Sequence, residues 1–315
     1  MENSNFVIMA DATCDLDEQL QNEYGIVIVP SHISLPDGRS ISSFHKWEEF
    51  TREEFYANLK NNPAGYKTAP PNVSEFSAIF EEYAKQGRDI LILTISGGIS
   101  GTYNFAVSAQ KEVSEKYPGV KIRVIDSMRF GPGHGLIMLH ASMLRSEGKS
   151  FDEVADYIEQ NRNRFHQAGW LDDLSFVAKQ GRLTHAKAFF GTLAGVKPIG
   201  EFDYNGMTTV IGKVKGAKAA YAALIDYMKN TIENPEDQII FIAQTNRYQQ
   251  AEIYKAMIEE AFHPKAVLIK DVYPMCGINI GPGLMAAYYM GKPISQGLVD
   301  ERAILDRYLN GGNNK

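Results

Sequence analysis

The residues best suited to chemistry lie in the stretch Ser96-Gly-Gly-Ile-Ser-Gly-Thr102, and that chemistry is the holding of an anion. Gly97, Gly98 and Gly101 let the backbone turn sharply and approach a ligand closely. Ser96, Ser100 and Thr102 add hydroxyl donors. An apolar run, Asp89–Ile95, precedes the loop, and a helical stretch follows from Thr102. A strand that feeds a flexible loop into a helix gathers free N–H groups and the positive end of the helix dipole at one point. The same residues also suit a tight turn with Ser100 as N-cap.

Sharper motifs are excluded. A P-loop needs Gly-Lys-Ser/Thr after its spacer, and no Lys follows Gly101. The glycines lack the G-x-G-x-x-G spacing of a dinucleotide fingerprint. A nucleophile elbow needs G-x-S-x-G, and Thr102 stands where its last glycine belongs.

Other stretches share the same small, polar character: Asp11–Asp15, Thr68, Asp126-Ser127 and Gly277-Ile-Asn-Ile-Gly-Pro-Gly283. Asp11 and Asp126 suit a carboxylate pair for acid–base work, although at strand ends such residues more often bond loop N–H groups. Arg182, beside Gly181, suits a bidentate bond to a carboxylate or phosphate, and equally a surface turn. His32, His45, His134, His140, His166, His185 and His263 are scattered without metal-site spacing.

These positions need elements to hold them. Strands are expected at Phe6–Ala10, Ile26–Pro30, Ile90–Ile95 and Ile122–Ile125. Between them, Thr13 or Asp15 caps a helix running to Tyr24, and Thr51-x-x-Glu54 and Asn72-x-x-Glu75 read as capping boxes of helices ending near Lys60 and Lys85. Thr68-Ala-Pro-Pro71 reads as a stiff extended loop, a helix spans about Thr102–Lys116, and another follows Gly131-Pro-Gly-His-Gly135. Strands alternating with helices argue for a parallel sheet covered on both faces. After Gly148 the pattern shifts. Helices are expected from Ser150 and over Leu171–Lys179, a primed Asn205-Gly206 hairpin joins Val196–Phe202 to Met207–Val214, and helices follow at Ala217–Asn230 and Gln249–Phe262. Strands are expected at Ile239–Ala243 and Ala266–Ile269, and the glycines at 277–283 precede an apolar, helix-like run. Together these give an α/β protein of two domains: residues 1–155 with a doubly wound, mostly parallel sheet, and 156–315 with a mixed α/β arrangement, the ligand lying in the cleft between them.

Length and composition agree. The 315 residues, 44% of them hydrophobic, exceed what one core usually holds, about 250–300 residues. A net charge of −6 with no basic block argues against nucleic acid. The start, MENSNFVIMADAT, suits neither a signal peptide nor a spanning helix, and two cysteines, Cys14 and Cys276, fit a reducing cytoplasm.

Taken together and in this order, the motifs resemble those of the DegV family of bacterial fatty-acid-binding proteins, whose members include the fatty-acid-binding subunit of fatty acid kinase. Asp11-Ala-Thr-Cys-Asp-Leu16 resembles D-S-[ST]-A-D-L, and Thr68-Ala-Pro-Pro-Asn72 resembles T-S-Q-P-[ST]. Ile95-Ser-Gly-Gly-Ile-Ser-Gly-Thr-Tyr103 resembles I-S-S-x-L-S-G-T-Y, and Val124-Ile-Asp-Ser127 resembles V-x-D-[ST]. Gly181-Arg-Leu183 resembles G-R-[IL], and the 277–283 stretch resembles G-x-H-x-G-P-G. The chain departs from these patterns at Ala12, Ala69, Gly97, Gly131 and Asn279.

The resemblance implies a non-catalytic protein that buries one long-chain fatty acid and presents its carboxylate to a separate kinase. It places Thr68, Ser96, Ser100 and Arg182 at the head group, with Gly97, Asn279 and Gly281 in the same region. Asp11, Thr13, Asp126 and Ser127 then serve as strand-end supports, and neither a metal nor a cofactor beyond the fatty acid is expected. The competing readings are a hydrolase or acyltransferase using Ser96 or Ser100, weakened by the missing elbow, and a nucleotide-binding domain, weakened by the missing fingerprint.

Overall fold

The computed structural model describes residues 6–183 and 195–311. The chain divides into two compact units, one comprising Met1–Glu49, Ala64–Arg162 and Tyr273–Cys276, the other Phe50–Pro63, Asn163–Val272 and Gly277–Lys315.

The first unit is built on four parallel strands, β1 (Phe6–Asp11), β2 (Ile26–Val29), β6 (Asp89–Thr94) and β7 (Ile122–Asp126), in the order β2-β1-β6-β7. Between their polar ends (Asp11 in β1, Asp89 and Thr94 in β6) β1 and β6 are continuously apolar, because both faces of the sheet are covered. On one face Val7, Met9, Ile90 and Ile92 meet Phe76 and Phe80 of α3 (Val73–Ala84) and Ala106, Ala109 and Val113 of α4 (Thr102–Lys116). Burying each phenylalanine contributes about 1.5–3 kcal/mol. α5 (Gly131–Ser146) and α6 (Phe151–Asn161) also pack on the sheet strands. Asn72 and Ser150 close the capping boxes of α3 and α6 as their spacing predicts.

α1 (Glu18–Tyr24) is capped by Asp17, whose side chain accepts from the Leu20 N–H, and not by Thr13 or Asp15. Asp15 is in the left-handed region (φ 50°), and its Oδ1 accepts from Tyr273 N at 3.0 Å. A separate three-stranded antiparallel sheet, β4-β3-β5, consists of β3 (His32–Ser34), β4 (Ser40–Ser42) and β5 (Lys67–Ala69). Thr68, expected in an extended loop, is therefore the central residue of β5, opposite Ile33.

The second unit has a six-stranded mixed sheet, β10-β9-β8-β13-β11-β12. Its strands are β8 (Phe165–Leu171), β9 (Val196–Phe202), β10 (Thr208–Lys215), β11 (Ile239–Gln244), β12 (Ala266–Asp271) and β13 (Leu284–Met290). Two expectations fail here. The apolar run after Gly283 is the central strand β13, not a helix, paired on both sides with β8 and β11. The strand β8 is not expected from the sequence at all; it ends at Leu171, so the short helix expected over Leu171–Lys179 is present but begins only at Ser175, as α7 (Ser175–Lys179). Small residues hide β8 in the sequence, and packing explains one of them: a Cβ on Gly169 would lie 2.3 Å from that of its partner Ala286.

The β9–β10 hairpin forms, but Gly206 alone in its turn has positive φ (74°), whereas a type I′ turn needs it at both central residues and a type II′ turn at the first. Asp203 closes the turn instead, accepting from the N–H groups of Asn205 and Met207. The helices of this unit include α2 (Arg52–Asn61), with its capping box at Thr51, α8 (Ala217–Thr231), α9 (Tyr248–Phe262) and α11 (Val299–Gly311). Buried Glu201 of β9 accepts from His166, Tyr227 and the Gln167 and Phe202 N–H groups, which join β8, β9 and α8 through one carboxylate.

Candidate functional site

The carboxyl ends of parallel strands are where ligands meet an open α/β sheet. In the first unit those of β1, β6 and β7 are bound to one another by side chains. Asp11 Oδ2 accepts from Ile95 N at 2.6 Å, and its Oδ1 accepts from Thr13 N at 3.0 Å and Thr13 Oγ1 at 2.6 Å. With its proton given to Asp11, Thr13 Oγ1 is an acceptor for His134 Nδ1 at 3.5 Å. Burial pushes His134 below the usual histidine range, which keeps the ring neutral. Asp11 is thus saturated by loop donors and completely buried.

The loop after β7 fastens the loop after β6. Ser96 N donates to Arg129 O at 2.9 Å, and Ser127 Oγ donates to the same carbonyl at 3.0 Å. Ser127 N donates to Thr94 O at 3.0 Å, continuing the ladder one residue past the strand. Asp126 Oδ1 accepts from Met128 N at 2.8 Å, and the Asp126 carbonyl accepts from Arg162 Nη1 at 2.5 Å.

Held in this way, Ser96–Thr102 has a buried root and an open tip. Ser96 is fully buried, its Oγ accepting from Gly98 N at 3.1 Å and its carbonyl from the N–H groups of Ile99 and Ser100. Gly97, Gly98 and Gly101 are exposed. Ser100 is not the N-cap of α4: Gly101 takes that place without a side-chain cap, while the Ser100 and Thr102 hydroxyls bond each other at 2.7 Å. The first turn of α4 carries no acidic side chain of its own, and the nearby carboxylate is that of Asp126, against Gly97. The loop can accept an anion or a polar head group. It is poorly equipped for nucleophilic attack, because the hydrogen bonds of Ser96 and Ser100 run to loop atoms and not to a histidine.

The other sequence-derived positions are distributed. Thr68 is half-buried on the small sheet of the first unit. Arg182, Asn279 and Gly281 belong to the second unit. Arg182 follows α7 and donates through Nη1 to Gln180 O. Asn279 is half-buried in α10 (Pro274–Ile280), so the 277–283 stretch begins as helix and only its end is a loop. The glycines of that end answer to packing: a Cβ on Gly281 (φ 79°) would stand 2.5 Å from the Phe176 ring, and one on Gly283 (φ 102°) 3.0 Å from Asp172 Cβ. Asp172 in turn binds Lys197 and Arg247. His185 lies outside the described residues.

Sequence reasoning missed three participants near the loop. Thr94 is fully buried, Arg129 is completely buried behind the β7 turn, and Arg162 reaches Asp126 from beyond α6. None belongs to a motif, and only the register of β6 against β7 brings Thr94 beside Asp126. Among the described residues no group of His, Cys, Asp and Glu could hold a metal ion. No described helix is long and apolar enough to cross a membrane.

Comparison with known proteins shows the family and the fold. Residues 5–292 match the family model described as an uncharacterised protein of the DegV family. A DegV domain-containing protein of Clostridium perfringens is 31% identical over 286 residues, 91% of this chain and 97% of the relative. Among solved structures, the fold is similar to that of a fatty-acid-binding DegV family protein from Thermus thermophilus, with a TM-score of 0.80 at 23% identity, covering 91% of this chain and 99% of that one. It is similar also to the fatty acid kinase B3 protein of Streptococcus pneumoniae, solved with linoleic acid, with a TM-score of 0.76 at 22% identity and the same coverage of 91% and 99%.

Proposed function

The chain belongs to the DegV family, and from that membership we propose that it is a non-catalytic lipid-binding protein that buries a long-chain fatty acid and presents its head group to a partner kinase. The observation that carries this reading is the Ser96–Thr102 loop, an exposed glycine backbone at a helix start whose N-cap residue, Gly101, has no side chain, rooted on a fully buried serine. Ser96, Ser100, Thr68 and Arg182 are the proposed head-group residues, with Gly97, Asn279 and Gly281 in attendance. Asp11, Thr13, Asp126 and Ser127 set the loop's position through the bonds described above.

A division of labour follows from magnitudes. Each buried CH₂ of an acyl chain contributes about 0.8 kcal/mol, so the tail supplies affinity while the loop supplies orientation. The protein itself needs no nucleophile, and phosphoryl transfer falls to the kinase. We place it in the reducing cytoplasm, consistent with Cys14 and Cys276 both being buried free thiols.

Native mass spectrometry of the protein purified from cells tests the reading. A co-purified fatty acid is the expected result. A bound nucleotide, or a protein that takes up no acyl ligand when offered one, refutes it.

A further inference from the structure

The stretch Ser96–Gln110 contains no charged residue, although 22% of the chain is charged, and charges resume only at Lys111 and Glu112. It covers the loop and the first two turns of α4. Ala106, Ala109 and Val113 turn inward to the core of the first unit. The outer side carries Gly98, Gly101, Asn104, Phe105 and Ser108, all exposed. Phe105 is 38% exposed and is the one large apolar side chain exposed in the first unit among the described residues; Tyr204, Tyr248, Ile253 and Val299 lie in the second.

The Phe105 ring does not hang free. Phe105 N donates to the Gly101 carbonyl at 3.2 Å, and a Cβ on Gly101 would stand 3.9 Å from Cε2 of the ring. The ring therefore lies over the N-cap of α4, beside the glycine tip of the loop. An aromatic side chain on a charge-free surface has the composition of an interface core, from which charged residues are depleted. The nearest charges lie beneath the patch or beyond it. Arg129 is completely buried, and Asp126 is half-buried under Gly97 with its Oδ1 bonded to Met128 N. Further along α4, Glu112 accepts from Ser77 and Lys116 pairs with Glu81, both on α3.

What covers the patch follows from where it lies and what it lacks. In the proposed function a separate kinase brings its phosphoryl donor to a head group held at Ser96–Thr102, so the kinase must meet the surface that borders this loop. An anionic lipid surface would be matched by Lys or Arg beside the apolar anchor, and the patch has none on a chain of net charge −6. We propose that Phe105 is the anchor by which the partner kinase docks, its ring entering an uncharged, apolar pocket of the kinase next to the head group. The inference rests on the kinase-presentation reading and adds the docking surface to it.

The test measures acyl phosphate formed from oleic acid and ATP by the fatty acid kinase of the same organism, with the loaded full-length protein as the varied substrate. Phe105→Ser should raise the KM for the loaded protein about tenfold and leave kcat unchanged, because the contact serves association and not the chemistry. Phe105→Leu, which keeps an apolar side chain, should recover most of the loss. Val299→Ser, at an exposed apolar residue of the second unit, should change nothing. Displacement of a fluorescent fatty acid and thermal melts should be the same for all four proteins. An unchanged KM in Phe105→Ser, or a loss that lies in fatty acid affinity instead, overturns the proposal while kinase coupling stands. Phe105-dependent binding to vesicles of phosphatidylcholine and phosphatidylglycerol, without an effect on KM, overturns it in favour of a lipid surface. A wild type that binds oleic acid but yields no acyl phosphate sinks the kinase reading and this inference together.

Discussion

Asp11 Oδ2 accepts the Ile95 N–H at 2.6 Å across 84 residues of sequence, so the end of β1 positions the loop that follows β6. The same carboxylate takes two bonds from Thr13. Replacing Asp11 with alanine leaves two backbone N–H groups unpaired in a buried site, each costing about 1–3 kcal/mol. Asp11→Ala should therefore lower stability by roughly 3 kcal/mol in urea unfolding. A loss below about 1 kcal/mol would show that the carboxylate does not hold the loop.

Ser96→Ala removes the acceptor for Gly98 N and a proposed head-group hydroxyl at once, and Arg182→Ala removes a candidate cation. Each should weaken fatty acid retention by roughly tenfold while the circular dichroism spectrum stays that of the wild type. Unchanged retention in both variants would move the head group elsewhere.

Gly281 has a φ of 79° and sits against Phe176. Gly281→Ala should cost about 2 kcal/mol, part from the backbone and part from the ring. Adding Phe176→Ala relieves only the second part, so a double-mutant cycle should give a clear coupling. Purely additive effects would mean that the loop tolerates the methyl group by moving.

Acid should destabilise the first unit. His45 Nε2 donates to Ala12 O and its Nδ1 accepts from Gln21 Nε2, an arrangement that needs the neutral ring. Burial pushes His45 and His134 down, and His140 to about 4. A folded-state value below the unfolded one means that the unfolded chain binds the proton first. The stabilisation is therefore complete above about pH 6.5 and fades as pH falls toward 4, at up to about 1.4 kcal/mol per pH unit for each ring. Urea midpoints measured from pH 7 to pH 5 should fall, and a flat profile would mean that these rings charge without cost.

The sequence by itself determined the alternating frame of the first unit. Apolar β1 and β6, the capping boxes at Asn72 and Ser150 and the span of α4 are all local signals, because a cap or a helical period is satisfied within a few residues. It also placed the glycines and hydroxyls of Ser96–Thr102. The tertiary structure alone decided the rest. Leu284–Met290 is seven apolar residues in a row, which have no period to read, and becomes a strand because β8 and β11 flank it. Asp17 rather than Asp15 caps α1, since the Asp15 carboxylate is engaged by Tyr273, far along the chain. Gly281 answers to a ring and Gly97 to a carboxylate. The sequence names the groups available to a ligand, but whether each is spent on the protein or left open depends on neighbours that only folding supplies.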